Sequence, residues 1–243
     1  FLLMKKNNKI IFQNPDEQKM LINQKIVNEK STYLIKGAGV NLDLFCPKIV
    51  SQKSTTVVLC ARMIWDKGIQ EFVNAAILLK KKEYKVNFLL VGAIDYDYPR
   101  YVPEEKLRHW NDEGTISWLG YQENIHEIYQ NSSIVRLPSF YSEGIPKSLI
   151  EAAACGKPIV TTDMPGCREI VKDGFNGLLV PPKNDILLAK ALEILIMNPE
   201  LRLKYGKNGR LLVQEGFSQE KVNKMTLEVY EQFKVDDNIG KMN

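Results

Sequence analysis

Cysteine and histidine are scarce in this chain of 243 residues, and their arrangement excludes several kinds of protein. The four cysteines are scattered and form no Cys-x-x-Cys pair, so neither a zinc site nor a disulfide scaffold is supported. The two histidines, His109 and His126, stand apart and are interpreted as ordinary helix-surface residues. No apolar run approaches the ~18–20 residues that a membrane-spanning helix needs. Reduced thiols fit best, and we expect a cytoplasmic protein.

A strong excess of one charge is also absent. The chain carries 33 Lys and Arg against 29 Asp and Glu, a net charge of +4. This excess is too small to argue for nucleic-acid binding, although it leaves room for a weak peripheral association with the inner face of an anionic membrane. Hydrophobic residues make up 44% and charged residues 26%, the balance of a globular protein with a sizeable core.

The first residues read as the end of a longer element. The segment 1–6 is too short for the apolar region of a signal peptide and carries its charge on the wrong side. We therefore expect a fragment in which residues 1–9 end a connection between domains. Residues 10–217 then form one core domain, and residues 218–243 form a C-terminal helix and tail that pack toward a missing N-terminal domain.

Short β-branched runs alternate with helical patterns along the chain. Strands are predicted at residues 9–12, 33–35, 56–61, 88–92, 115–120, 133–137, 158–162 and 177–180. Helices are predicted from Asn14 onward, over 69–82, and over 185–197, 199–214 and 218–233. The run at 56–61 is continuously apolar, as expected for a parallel strand covered on both faces. The alternation predicts an α/β fold with a Rossmann-like, doubly wound parallel sheet.

The segment 138–156 is the most informative in the sequence. It follows a predicted strand, and doubly wound sheets bind ligands at the carboxyl ends of their strands. Glu143 lies in the loop, Gly144 allows a close backbone approach, and Pro146 is suited to the first turn of a helix. Good helix formers follow until Gly156.

The start of that helix is a predicted anion site, with free backbone N–H groups near Ser148 and Leu149. Glu151 lies one turn further in, on the face nearest the loop. This geometry suits a nucleotide sugar, whose diphosphate would meet the helix while one carboxylate binds the sugar and the other binds the ribose. Whether Lys147 touches the diphosphate or faces solvent stays open.

Cations should accompany two carboxylates beside a diphosphate, and Arg62 and Lys67 can supply them. Both follow the buried run that ends at Ala61, so they belong to the same edge of the sheet. Arg can bind phosphate oxygens through two N–H groups, and Lys adds a point charge. The alternative is that all four charged residues are solvated, and their combination makes this the weaker interpretation.

Together these residues resemble the donor-site signature of the retaining glycosyltransferases of family four. Arg62 and Lys67 come first, followed by Glu143 and Glu151 with seven residues between them. The resemblance continues, in the family's order, through the segments 37–41, 118–120, 151–158 and 177–181. Within the family, the chain is most similar to enzymes of bacterial surface-polysaccharide assembly.

The resemblance implies the two-domain GT-B architecture, of which this chain is the C-terminal, donor-binding half. It implies retaining transfer of a hexosyl or N-acetylhexosaminyl group from a nucleotide sugar, with a UDP-sugar as the expected donor class. The acceptor would be a glycan or a lipid-linked glycan, held by the missing N-terminal half. No metal ion and no other cofactor are expected. The fragment is expected to bind the donor without turnover, and a non-catalytic nucleotide-sugar-binding module stays an alternative.

Residue roles follow from the same resemblance. Glu143, Arg62 and Lys67 are the expected catalytic residues, with Glu143 orienting the transferred sugar. The expected donor-binding residues are Arg62, Lys67, Gly120, Tyr121, Glu143, Gly144, Ile145, Pro146, Lys147, Ser148, Leu149 and Glu151. Tyr121 stands where the family contacts the nucleobase, but a simple rim tyrosine is an equally good interpretation.

Two rival interpretations find less support. A nicotinamide-dependent dehydrogenase would share the sheet, but its G-x-G-x-x-G spacing is missing from the sequence. The segment Asp95-Tyr96-Asp97 resembles the metal-binding acidic pair of the other large glycosyltransferase fold. Because it lies among turn formers and shortly before Pro99, turn chemistry is the favoured explanation.

Overall fold

The computed structural model describes residues 8–48, 54–140 and 144–240, with the backbone only for 233–240. The strands are β1 Ile10–Phe12, β2 Thr32–Leu34, β3 Thr55–Cys60, β4 Val86–Val91, β5 Ser117–Trp118, β6 Ile134–Leu137, β7 Ile159–Thr162 and β8 Gly177–Val180. The helices are α1 Pro15–Asn23, α2 Ile69–Lys81, α3 Glu104–Asp112, α4 Ile125–Gln130, α5 Lys147–Ala154, α6 Cys167–Ile170, α7 Asp185–Met197, α8 Pro199–Gly216 and α9 Gln219–Gly240.

Within these residues, a six-stranded parallel sheet has the order β5-β4-β3-β6-β7-β8. Side chains of β3 alternate between the two faces. Val57 and Leu59 join a core beneath α2 and α7, whereas Val58 and Cys60 join a core beneath α5 and α8. Burial on both faces explains the continuously apolar run in the sequence. The predicted Rossmann-like, doubly wound parallel sheet is confirmed.

The first two strands do not join this sheet. β1 and β2 pair with each other in parallel, as a separate two-stranded sheet. Ile35, just after β2, packs against Val222 and Val229 of α9, and the Tyr33 hydroxyl donates a hydrogen bond to Gln232 at 2.9 Å. The segment around β2 and the last helix are therefore packed together. The domain boundaries predicted at residues 9 and 217 stay a prediction.

Helix boundaries follow from capping chemistry that the sequence displays. The Asn14 side chain accepts a hydrogen bond from the Glu17 N–H at 2.8 Å, and Pro15 begins α1. The Asn184 and Asn198 side chains cap α7 and α8 in the same way. The predicted helix over 185–197 matches α7, and Lys80 and Lys81 lie in the last turn of α2, as predicted.

Candidate functional site

The loops that follow β3 and β6 meet at one edge of the sheet. These strands are neighbours, with Val57 opposite Ile134. Beyond them, the Phe140 N–H donates to the carbonyl oxygen of Asp66 at 3.1 Å. Gly68 has a φ of +71° and touches Pro138 so closely that an added Cβ would overlap the Pro138 carbonyl. The segment that carries Arg62 and Lys67 is therefore fixed to the loop that leads toward α5.

Lys67 is largely buried at this junction. It ends a short 3-10 turn, Trp65–Lys67, and only 9% of its surface is exposed. The neighbouring Asp66 is also buried, and its Oδ1 lies 3.6 Å from Nη2 of Arg100. A lysine this deep is costly unless charged or polar partners are nearby. Its low exposure therefore separates Lys67 from bulk solvent.

Arg62 is more exposed and already has an acidic partner. Its Nη1 donates to Oδ2 of Asp95 at 2.6 Å, and its guanidinium carbon lies 5.8 Å from the centre of the Tyr98 ring. More than half of the Arg62 side chain, 58%, is accessible to solvent. Within the acidic segment from Asp95 to Asp97, Asp95 therefore pairs with a cation. No group of three or more potential metal ligands occurs in the described residues.

The N-terminus of α5 has no side-chain cap, and its first amides point out of the helix. Leu149 differs from the expectation, because its N–H donates to the Pro146 carbonyl at 3.0 Å. In the described part of the chain, no acceptor bonds to the N–H of Lys147 or Ser148. The amides of Lys147 and Ser148 are therefore the ones that can meet a ligand, and the anion site expected there stays a prediction.

Two of the expected donor-binding residues serve mainly as anchors. The Ile145 and Leu149 side chains are buried in the core beneath α5, so only their backbone atoms can meet a ligand. Gly144 makes a close approach, as expected, but its neighbour is Gln13, whose Oε1 would lie 2.5 Å from an added Cβ. Pro146 is buried and begins the turn before α5.

Glu151 is buried on the inner side of α5, with 11% of its side chain exposed. Burial raises its carboxyl pKa, and the Lys147 ammonium, 3.7 Å from Oε1, partly opposes this effect. Cys60 and Tyr129 lie within its electrostatic reach, and burial raises the pKa of the Cys60 thiol to about 12. Both neighbours therefore stay neutral, and Glu151 lies close to the end of β3.

Gly120 and Tyr121 lie at the same edge, beyond β4. The Gly120 carbonyl accepts a hydrogen bond from the Gly92 N–H at 2.8 Å, which ties the end of β5 to the end of β4. Tyr121 is 71% exposed. Glu143 falls outside the described residues, and its role stays a prediction.

The histidines take no part in this arrangement. His109 is exposed on α3, with Nε2 3.4 Å from Oε1 of Glu113. His126 lies on α4, and its ring meets Phe45 edge-on at 6.2 Å. Both are helix residues, as predicted.

Replacing Glu151 by glutamine should stabilise the fold at neutral pH. Because the pKa is raised in the folded chain, stability falls as pH rises from the ordinary carboxyl pKa through the raised value. The buried carboxyl group is therefore a cost at pH 7 that Glu151→Gln removes, and we expect Tm to rise by about 2–4 °C.

The measurement is thermal unfolding at pH 7 and at a pH below ~4.3, the ordinary value for glutamate. The increase in Tm should vanish at the lower pH. The control Glu127→Gln, on the exposed face of α4, should leave Tm unchanged at both pH values. An equal gain at both pH values would contradict the proposed cause.

Comparison with known proteins identifies the family. A family model described as glycosyl transferases group 1 matches residues 47–212. The chain belongs to this family.

Two curated relatives illustrate how much of a group 1 glycosyltransferase is present. N,N'-diacetylbacillosaminyl-diphospho-undecaprenol alpha-1,3-N-acetylgalactosaminyltransferase of Campylobacter jejuni is 34% identical over 211 residues, covering 82% of this chain and 54% of the relative. The putative glycosyltransferase EpsD of Bacillus subtilis is 31% identical over 193 residues, covering 74% and 49%. The chain therefore spans about half the length of these curated relatives.

Solved structures share the fold. A glycosyltransferase from Rickettsia africae superposes with a TM-score of 0.83 at 22% identity, covering 96% of this chain and 65% of that one. Anabaena Alr3699/HepE in complex with UDP and glucose gives 0.81 at 21% identity, covering 92% and 63%. At these identities the match shows the fold, that of the GT-B glycosyltransferases.

Several residues at this edge of the sheet were not assigned to the site from the sequence. Asp95 pairs with Arg62, and Asp66 lies 3.6 Å from Arg100. Lys183 lies 4.6 Å over the ring of Phe140. Ser139 is fully buried, and its carbonyl accepts a hydrogen bond from the Thr162 hydroxyl. The only signal for these residues was their position just after a strand, which many loop residues share.

The described residues also bear on the membrane. None of their helices combines the length and the apolar character that crossing a bilayer requires.

Proposed function

We propose that this chain is the donor-binding half of a retaining glycosyltransferase that uses a UDP-sugar. The observation that carries the proposal is the junction of the two loops, which brings Lys67 to the edge where α5 presents the open amides of Lys147 and Ser148. A buried cation and a helix N-terminus together favour a diphosphate. The family membership of the chain and the UDP complex of the Anabaena structure support this ligand.

The mechanism follows from where charge develops. As the bond between the anomeric carbon and the diphosphate breaks, negative charge grows on the leaving diphosphate and positive charge grows on the sugar. Lys67, Arg62 and the α5 amides would stabilise the leaving group, and such donors lower the barrier when they are positioned in advance. Glu151 would accept hydrogen bonds from the ribose, and Glu143 would orient the transferred sugar.

The acceptor belongs to the other half of the enzyme in this proposal. The named Campylobacter relative acts on a diphospho-undecaprenol substrate, and we extend to this chain a glycan or lipid-linked glycan acceptor in polysaccharide biosynthesis. A cytoplasmic location with peripheral attachment to the membrane would fit such an acceptor. We further propose that donor binding needs no metal ion, since Arg62, Lys67 and the helix dipole already supply positive charge.

A second candidate, a non-catalytic nucleotide-sugar-binding module, is favoured by one observation. The family model matches residues 47–212, which include the proposed donor edge, and the chain spans about half the length of its curated relatives. Transfer assays on the full-length protein separate the two candidates, because only the enzyme forms a glycosylated product.

Titration calorimetry of the chain tests the proposed ligand. We expect binding of UDP, little binding of NADH, and the same UDP affinity with Mg²⁺ and with EDTA. Lys81→Ala, at the solvent-exposed end of α2, should bind UDP like the wild type. Binding of NADH without binding of UDP would overturn the proposal, and loss of UDP binding in EDTA would overturn its metal-independence.

A further inference from the structure

The ion pair between Arg62 and Asp95 joins two loops at the donor edge. Nη1 of Arg62 and Oδ2 of Asp95 are 2.6 Å apart, although the residues are 33 positions apart in the chain. The Tyr98 ring lies against the same guanidinium, at 5.8 Å from its central carbon. Asp95 is therefore the one member of the Asp95–Asp97 acidic pair that has a recorded partner among the described residues.

The backbone around this pair is fixed. Loop 92–102 is bound to the segment after β3 by hydrogen bonds from the Met63 N–H to the Ala93 carbonyl at 2.9 Å and from the Val102 N–H to the Met63 carbonyl at 2.8 Å. The Trp65 N–H adds a bond of 3.0 Å to the Arg100 carbonyl. The Asp95 carboxylate thus sits on a rigid support, whereas Arg62 reaches it through a long, flexible side chain.

The strand order shows on which side of Arg62 loop 92–102 lies. The sequence β4-β3-β6 puts Asp95, after β4, on one side of the end of β3 and the start of α5, after β6, on the other. Only Nη1 is used by Asp95. Within the described residues, Nε and Nη2 of Arg62 donate no hydrogen bond, so both can donate to an anion.

We propose that Asp95, together with Tyr98, is a positioning residue that holds the Arg62 guanidinium in place for the diphosphate of the donor. This inference rests on the proposed function. A free arginine side chain loses rotamer freedom when it binds phosphate, and a partner that orders it beforehand removes part of that cost. Most exposed ion pairs add little to stability, so the expected effect is on binding rather than on folding.

The test is a set of UDP titrations on the chain. Asp95→Ala should weaken UDP binding by about threefold to tenfold, the range expected when one long side chain must be ordered on binding. Asp95→Asn retains an acceptor oxygen and should lose less. The matched control is Asp97→Ala, which removes the same charge two residues away from an exposed position and should bind like the wild type.

A double-mutant cycle separates positioning from a structural effect. If Asp95 acts through Arg62, then Asp95→Ala should change nothing further in an Arg62→Ala background, and Tm should stay within about 1 °C in each background. Unchanged or tighter UDP binding by Asp95→Ala would overturn the inference, as would an equal loss in both backgrounds. Failure of the wild-type chain to bind UDP at all would instead overturn the proposed function, and the inference with it.

Discussion

Lys67→Ala in the full-length protein should reduce glycosyl transfer by about 10²–10³-fold, the usual cost of removing one positioned donor to a developing negative charge. Of the two cations, Lys67 should have the larger effect on the rate of transfer. It is only 9% exposed, whereas more than half of the Arg62 side chain is accessible to solvent. Water screens a buried charge less, so its interaction with the leaving diphosphate is stronger.

The assay is the initial rate of sugar transfer from a UDP-sugar at saturating donor. Lys67→Met keeps most of the apolar stem and should lose as much activity while unfolding near the wild-type temperature, which separates lost charge from lost packing. Lys81→Ala is the control for removing a lysine from the same stretch of chain. A rate for both Lys67 variants within threefold of the wild type would rule out the assigned role.

Glu151→Ala should weaken UDP binding by about 10–100-fold, because a hydrogen bond from a ribose hydroxyl to a carboxylate contributes ~1.5–3 kcal/mol. The carboxylate is well prepared for this role. Its neighbours Cys60 and Tyr129 are neutral, and its only recorded ion pair, in the described residues, is with the exposed Lys147.

A change of ligand tests the assignment of Glu151 to the ribose. The wild-type chain should bind UDP more tightly than 2′-deoxy-UDP, and Glu151→Ala should bind both with equal affinity. Glu127→Ala, an exposed acid on α4, should keep the wild-type preference. Retention of that preference by Glu151→Ala would mean that another group binds the ribose.

Much of the fold was accessible from local sequence patterns. A continuous apolar run marked β3, and Asn14 marked the start of α1, because burial on both faces and capping are properties of short segments. α5 begins just after Pro146 and ends before Gly156, as predicted. No bounds were predicted for the short helices α3, α4 and α6, although His109 and His126 were expected to lie on helices. α3 is strongly polar and α6 has four residues, so neither shows a long apolar face.

Long-range pairing could not be predicted in the same way. The sequence pattern predicts that β1 and β2 are strands but does not predict which strands they pair with. In the structure the two strands pair with each other. Arg136 illustrates the limit further, because it lies in the central strand β6 and is fully buried, with its guanidinium 4.9 Å over the Phe72 ring. Burial lowers the pKa of the Arg136 guanidinium. The residues next to Arg136 in the sequence do not predict this burial.

The site was partly predictable for a related reason. Parallel strands deliver the residues that follow them to one edge, so Arg62, Lys67 and α5 could be placed near one another from chain order alone. The partners of those residues could not, because Asp95 and Arg62 meet only when β3 and β4 are paired. The Leu149 amide is engaged by Pro146, a detail that depends on how tightly the first turn of α5 is wound.

The most direct measurement is a crystal structure of the chain with UDP. The account predicts the β-phosphate within ~2.7–3.2 Å of the Ser148 N–H and of Nζ of Lys67, with the ribose at Glu151. UDP bound at another edge of the sheet, with the start of α5 empty at saturating ligand, would contradict it.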